Sequence, residues 1–194
     1  MKEVTVMGPL SVTVIIGSTR AGRACDAVGE WFAERARRRD DLAVEVLDLA
    51  GYTFPTCYPQ QATPSMRRFA AAVGGSDAFV VVTPEYNRSF PAPLKQAIDY
   101  AYDEWQAKPV AIVAYGSGSC GHYAVEQLRT VFSALHAVTM RDWVGLDLLG
   151  AGIEERCRPR DTDDRLRAVA VMLDQLTWWG RTLREGRRAQ PYVS

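Results

Sequence analysis

The stretch AFVVVTPEYNRSFPAPLKQAIDY, residues 78–100, joins a run of β-branched residues to a segment of helical spacing through a connection unusually rich in chemistry. Five apolar residues in a row, Ala78 to Val82, have the character of a strand covered on both faces, as in a parallel sheet. Pro91 and Pro93 suit a helix start, where a missing amide hydrogen costs nothing. With Pro84 they put three prolines in the connection, together with an aromatic pair and an arginine. Such a connection either steers the chain or holds a planar ligand at the end of the sheet.

The same alternation runs outward from this stretch. SVTVIIG (11–17) reads as a first strand, and RACDAVGEWFAERARRR (23–39) as a helix with Ala24, Val28, Trp31 and Arg35 on one face. The Arg35 to Arg39 cluster reads as its solvated end, favourable to the helix dipole. LAVEVLDL (42–49) is a second strand, residues 50–63 a long loop, and PSMRRFAAAVGG a helix from Pro64 to Gly75. KPVAIVAYG (108–116) is a fourth strand, followed by a helix with Ala124, Leu128, Val131 and Leu135 on one face. VTMRDWVGLDL (138–148) reads as a fifth, edge-like strand. Residues 150–161 are irregular, and a last helix begins at acidic residues and presents Leu166, Val169, Leu173 and Leu176. Five strands, each followed by a helix, describe a doubly wound α/β sandwich.

Length and charge narrow the choice. The 194 residues suit one domain, 1–194, and Lys+Arg 23 against Asp+Glu 23 leaves zero net charge. Nothing electrostatic therefore points to nucleic acid or an anionic membrane. The N-terminus reads as a short lead-in, with neither a membrane span nor a cleavage site. Cys25, Cys57, Cys120 and Cys157 form no C-x-x-C pair and stand away from any histidine at ligand spacing, so no metal site is expected and a reducing, cytoplasmic setting is the default.

Ligands of such sheets bind beyond the carboxyl ends of the strands, and three connections there stand out. GSTRAGR (17–23) offers hydroxyls at Ser18 and Thr19 and guanidinium forks at Arg20 and Arg23 before a helix N-terminus, which suits a phosphate. The plain alternative is a polar turn with solvated arginines. It is neither G-x-G-x-x-G nor a Walker sequence. TPEYN at 83–87 is the second. The third, YGSGSCGHY (115–123), has a backbone able to approach a flat heterocycle and donate amides to it; its plain alternative is an ordinary glycine turn. One phosphate loop and two ring-clasping loops suggest flavin mononucleotide, FMN.

GSTRAGR after the first strand, TPEYNRSFPAPLKQAIDY after the third, KPVAIVAYGSGS before the fourth helix and AVEQLRTVFSALHAV along it resemble the NADPH-dependent FMN reductase family, a flavodoxin-like group of flavin, quinone, azo-dye and chromate reductases. The likeness covers about residues 11–145. It implies a three-layer sandwich with a five-stranded parallel sheet in the order 2-1-3-4-5. It further implies that Ser18, Thr19, Arg20 and Arg23 hold the FMN phosphate. Pro84, Glu85, Tyr86 and Asn87 would line the isoalloxazine and ribityl chain, and Ser117, Gly118 and Ser119 would meet the pyrimidine end. Hydride would pass from NADPH or NADH through FMN to a small acceptor, the two reactants alternating in one site, with no catalytic side chain required. A homodimer, or a pair of dimers, is also implied.

The sequence departs from the family pattern at Cys120-Gly121-His122-Tyr123, where adjacent glycines and a basic residue are usual. Cys120, His122 and Tyr123, with Arg88 and Phe90, are expected at the substrate or partner rim. Glu85 is expected to act through its backbone or a structural ion pair rather than as a proton relay, Cys120 as a packing residue rather than a redox thiol, and His136 as a packed or capped histidine. Trp178 and Trp179 cannot both face one core in a helix, which leaves one for a partly exposed position or a subunit interface. Two other functions fit the same fold: a flavodoxin-like electron carrier, against which the neutral charge counts, and a flavin-binding or regulatory protein without NADPH activity.

Overall fold

The computed structural model describes residues 8–148, 154 and 157–193. The expected lead-in at residues 1–7, and much of the irregular stretch after residue 148, lie outside the described residues. The elements run β1 (Leu10–Ile16), α1 (Cys25–Ala36), β2 (Leu42–Asp48), α2 (Pro64–Gly75), β3 (Ala78–Pro84), α3 (Ala92–Asp99), β4 (Pro109–Gly116), α4 (His122–Ala134), β5 (Val138–Thr139), β6 (Val144–Asp147) and α5 (Asp163–Ala189). The strands are parallel in the order β2-β1-β3-β4-β5, with β6 also on β4. That is the expected flavodoxin-like order.

Side-chain alternation assigns the layers. Val80 and Val82 of β3 and Val113 and Tyr115 of β4 pack with Val28, Trp31 and Phe32 of α1 and Met172 and Leu176 of α5. Phe79, Val81, Val110 and Ile112 point the other way, towards Phe69 of α2, Leu94 and Ile98 of α3, and Leu128 and Phe132 of α4. Trp105 completes that second layer, its ring 4.7 Å from Phe79 and 5.3 Å from Phe132, edge to face. Each such buried aromatic contributes roughly 2–3 kcal/mol through removal of apolar surface from water.

Three expectations change on folding. The single last strand is two: Thr139 pairs with Val110 and Val144 with Val113, so five steps oppose three and two residues loop out. Arg129 holds this loop by donating to the carbonyls of Met140 and Arg141, while Gln175 donates to Asp142. Arg35 is not solvated. It is 9% exposed, stacks on Trp31 at 4.5 Å and donates to Asp161, which also accepts from the Trp31 indole at 2.9 Å. Burial opposes the charge on Asp161, but these donors outweigh it and hold its carboxyl below the usual range. Arg39 likewise pairs with Asp41 and Asp174. Finally, both Trp178 and Trp179 are exposed, and they pack edge to face on each other at 5.0 Å.

Candidate functional site

The carboxyl ends of β1, β3 and β4 bring the three loops together. Gly17 leaves β1 by donating to the carbonyl of Val82 at 2.8 Å, and a Cβ there would lie 2.8 Å from that oxygen. No other residue fits. Glu85 continues past β3 by donating its amide to Tyr115 at 2.8 Å, which lays the second loop beside the third.

In the first loop Ser18 is buried, and its hydroxyl accepts from the Arg20 amide at 3.4 Å and meets the Tyr86 hydroxyl at 3.5 Å. Thr19 and Arg20 are exposed. Arg23 folds back: it donates to the Ser18 carbonyl and pairs with Asp48 at 2.6 Å and Asp26 at 2.7 Å. Burial works against its charge, yet the two carboxylates prevail and the guanidinium is bound more firmly to its proton than usual. Arg23 therefore braces the loop, and Arg20 is its outward cation. No side chain caps α1, so its first amides remain open to an anion.

The second loop is a hairpin. Tyr86 and Ser89 exchange both backbone hydrogen bonds, at 2.7 and 2.9 Å, around Asn87 (φ 50°) and Arg88 (φ 65°). Two left-handed residues in a two-residue turn are the geometry that asparagine and glycine favour; arginine accepts it at a cost of about 1 kcal/mol. Gln127 of α4 grips the hairpin, donating to the Arg88 carbonyl at 3.0 Å and accepting from the Ser89 hydroxyl at 2.5 Å. Phe90, expected at the rim, is instead 9% exposed and packs in the α3–α4 layer, because the hairpin turns the chain back inward. It lines one side of a cavity of about 540 Å³ with Ala92, Gln127 and Val131.

The third loop turns at Gly118 (φ 75°), Cys120 (φ 53°) and Gly121 (φ 91°). A Cβ on Gly121 would lie 2.7 Å from the Tyr115 amide nitrogen, which explains a glycine directly before α4. Glu85 caps that helix from the neighbouring loop: its carboxylate accepts from the Tyr123 amide at 3.0 Å. The structural role expected of Glu85 is therefore a cap rather than an ion pair. Ser117 and Gly118 are exposed, Ser119 half-buried. His122 contacts the rings of Tyr123 and Trp143, at 5.6 and 6.1 Å, and Arg88 lies over Tyr123 at 4.1 Å.

Beneath the loops the thiol of Cys25 donates to Val82 at 3.3 Å, and burial raises its pKa. Burial also raises that of the Tyr115 phenol. Both stay protonated, so neither offers a nucleophile. Among the described residues no group of three or more His, Cys, Asp or Glu could hold a metal ion.

The donor set fits FMN. Ser18, Arg20 and the open α1 amides meet the needs of a phosphate, and the exposed backbone at Ser117 and Gly118 those of a flat ring's carbonyls. Between α3 and the first loop, Thr19, Tyr52, Phe54, Pro93 and Gln96 line a further cavity of about 310 Å³. Sequence reading missed Asp48, although its place at the carboxyl end of β2 puts it on this edge. It also missed Gln127 and Trp143, for which no local signal exists.

Known proteins bear on the same segments. An NAD(P)H-dependent FMN reductase of Schizosaccharomyces pombe is 34% identical over 132 residues, 62% of this chain and 64% of that protein. A quinone reductase of Pseudomonas putida is 33% identical over 120 residues, 58% of this chain and 63% of that one. The chain thus spans somewhat under two thirds of these relatives' lengths. Among solved structures, a flavoenzyme NAD(P)H:acceptor oxidoreductase from Paracoccus denitrificans superposes with a TM-score of 0.75 at 22% identity, over 89% of this chain and 98% of that one, and so shares the fold. The family model for NADPH-dependent FMN reductases matches residues 10–148, through all three loops. The chain belongs to the NADPH-dependent FMN reductase family.

Proposed function

We infer that this protein is an FMN-dependent NAD(P)H oxidoreductase that reduces flavins, quinones or similar small acceptors. The observation that carries the reading is the junction of three loops at one sheet edge, tied by the Ser18–Tyr86 and Glu85–Tyr123 contacts. The relatives named for FMN and quinone reduction support it. FMN, when bound, would supply the two-electron chemistry between NAD(P)H and acceptor.

The chain's own part is to bind and orient. Ser18, Thr19, Arg20 and the first amides of α1 take the phosphate, while Arg23 stiffens their loop through Asp48. Pro84, Glu85, Tyr86 and Asn87 flank the ring system, and the Ser117, Gly118 and Ser119 loop meets its pyrimidine end, with the Ser117 and Gly118 amides as donors while the Ser119 amide holds the turn on the Ser117 carbonyl at 2.9 Å. The protonated Tyr115 and Cys25 beneath keep charge out of the floor of the site.

The whole chain is read as one domain, and a homodimer as the working assembly, since the hairpin tip and Tyr123 are exposed where a second subunit would complete the site. No helix among the described residues is long and apolar enough to cross a membrane. The free cysteines are consistent with a reducing, cytoplasmic setting.

Anaerobic titration tests the reading. The purified protein should take up FMN, and NADPH or NADH should bleach the flavin absorbance, which a quinone then restores. A protein that binds no FMN overturns the proposal. One that binds FMN but resists both donors is an electron carrier instead.

A further inference from the structure

Arg88 occupies a backbone position that suits glycine or asparagine, and nothing in the turn requires a long side chain. A residue held in an unfavourable conformation by its surroundings directs attention to what its side chain does. Arg23, Arg35, Arg39 and Arg184 all reach carboxylates. Among the described residues no carboxylate pairs with Arg88. Its guanidinium lies instead on the ring of Tyr123, 4.1 Å from the centroid.

That arrangement leaves the cation both fixed and available. Tyr123 is anchored through its own amide on Glu85, and Gln127 holds the Arg88 carbonyl, so backbone and stacking platform are set before any ligand arrives. A guanidinium lying on a ring face still directs its N–H donors outward in its own plane, the geometry that receives a phosphate or carboxylate. The group leans towards α4 rather than the first loop, where Ser18 and Arg20 serve a phosphate. Its anion therefore belongs to a second molecule.

We propose that Arg88, stacked on Tyr123, recognises an anionic group on the reactant that exchanges electrons at this site: a phosphate of the hydride donor, or a carboxylate or ionised hydroxyl of the acceptor. The proposal rests on the oxidoreductase reading above. It makes the Arg88–Tyr123 pair a determinant of which reactants are preferred.

The test uses the FMN-loaded protein and its Arg88→Gly and Arg88→Lys variants. One arm measures KM for NADPH and NADH with an uncharged quinone. The other compares a hydroxyquinone anion with an uncharged methoxyquinone. Equilibrium dialysis of NADP+ and of the hydroxyquinone supplies affinities without turnover.

Arg88→Gly should raise KM and the dissociation constant about tenfold for the anionic reactant in one arm. The uncharged quinone should move less than about twofold, and Arg88→Lys should recover most of the loss. A rise for NADPH alone assigns the ribose phosphate, and an equal rise for both donors assigns the bridging diphosphate. A rise for the hydroxyquinone assigns the acceptor. The melting temperature of Arg88→Gly should not fall, because relief of the left-handed residue offsets the lost stacking.

Unchanged constants in both arms overturn the proposal. So does a weakened FMN affinity in place of these changes, or a fall of more than about 4 °C in Tm with no change in KM, which marks a hairpin brace. A wild-type protein that binds no FMN, or whose flavin neither donor reduces, sinks the underlying reading instead.

Discussion

At the amino end of the sheet Asp77 gathers the Ser11 amide at 3.2 Å, Arg184 at 3.0 Å and Arg187 at 3.3 Å, whereas at the carboxyl end Arg20 and Arg88 have no acidic partner among the described residues. Lys108, also at the amino end, donates to two carbonyls in the last turn of α2, those of Val73 and Gly74, both at 2.9 Å. Thr13 and Ser76 share a buried hydroxyl contact of 2.7 Å nearby. One end pairs its charges internally, although the buried Nε of Arg184 has no partner, and stiffens the sandwich; the other leaves cations and amides unspoken for. The comparison teaches that arginine count says little about a site until each guanidinium's partner is known.

The sharpest way to break this contrast is to remove Asp77. Asp77→Ala leaves Arg184, whose side chain is 8% exposed, without its carboxylate, and unfolding in urea should show a loss of about 3 kcal/mol. FMN affinity of the folded fraction should stay as it was. Arg20→Ala should do the reverse: about tenfold weaker FMN binding in an absorbance titration, with an unchanged urea midpoint. If either variant moves both readouts, the two ends are coupled and the contrast fails.

A gentler probe is pH. Burial lowers the Lys108 pKa to about 8 from an ordinary value of 10.5, with Arg187 adding to the effect. Between those values the unfolded chain holds more protons than the folded one, so this residue's contribution to stability rises with pH across the window. Below about pH 8 both states carry the charge and its full cost remains. The slope should reach at most about 1.4 kcal/mol per pH unit; urea unfolding at each pH should show it as the difference between the wild type and Lys108→Met, which lacks it.

Much of this was legible in the chain. The valine run of β3, the proline-framed start of α3 and the glycine loop before α4 carry their own signals, since each depends on neighbours close in sequence. Ser18, Arg20 and the T-P-E-Y-N segment do come together at one edge. What escaped depends on distant partners. Arg35 looks solvated until Asp161, 126 positions away, is folded against it. Arg23 looks like a phosphate ligand until β2 delivers Asp48. The last strand reads as one because VTMRDWVGLDL alternates well enough; the loop within it is pinned by Arg129 and Gln175 on two different helices. Phe90 is apolar and follows an exposed turn, and only the reversal at Asn87 and Arg88 shows that it points inward.

The single hydrogen bond from the Tyr123 amide to Glu85 reaches further than its strength suggests. It fastens the connection after β3 to the start of α4, so these two segments lose their freedom together, during folding. A molecule arriving at the edge then meets a surface whose disorder has already been removed, and association carries a smaller entropic penalty. Glu85→Gln, which keeps the acceptor, and Glu85→Ala, which removes it, would therefore differ in amide exchange at Tyr123 before any ligand is added.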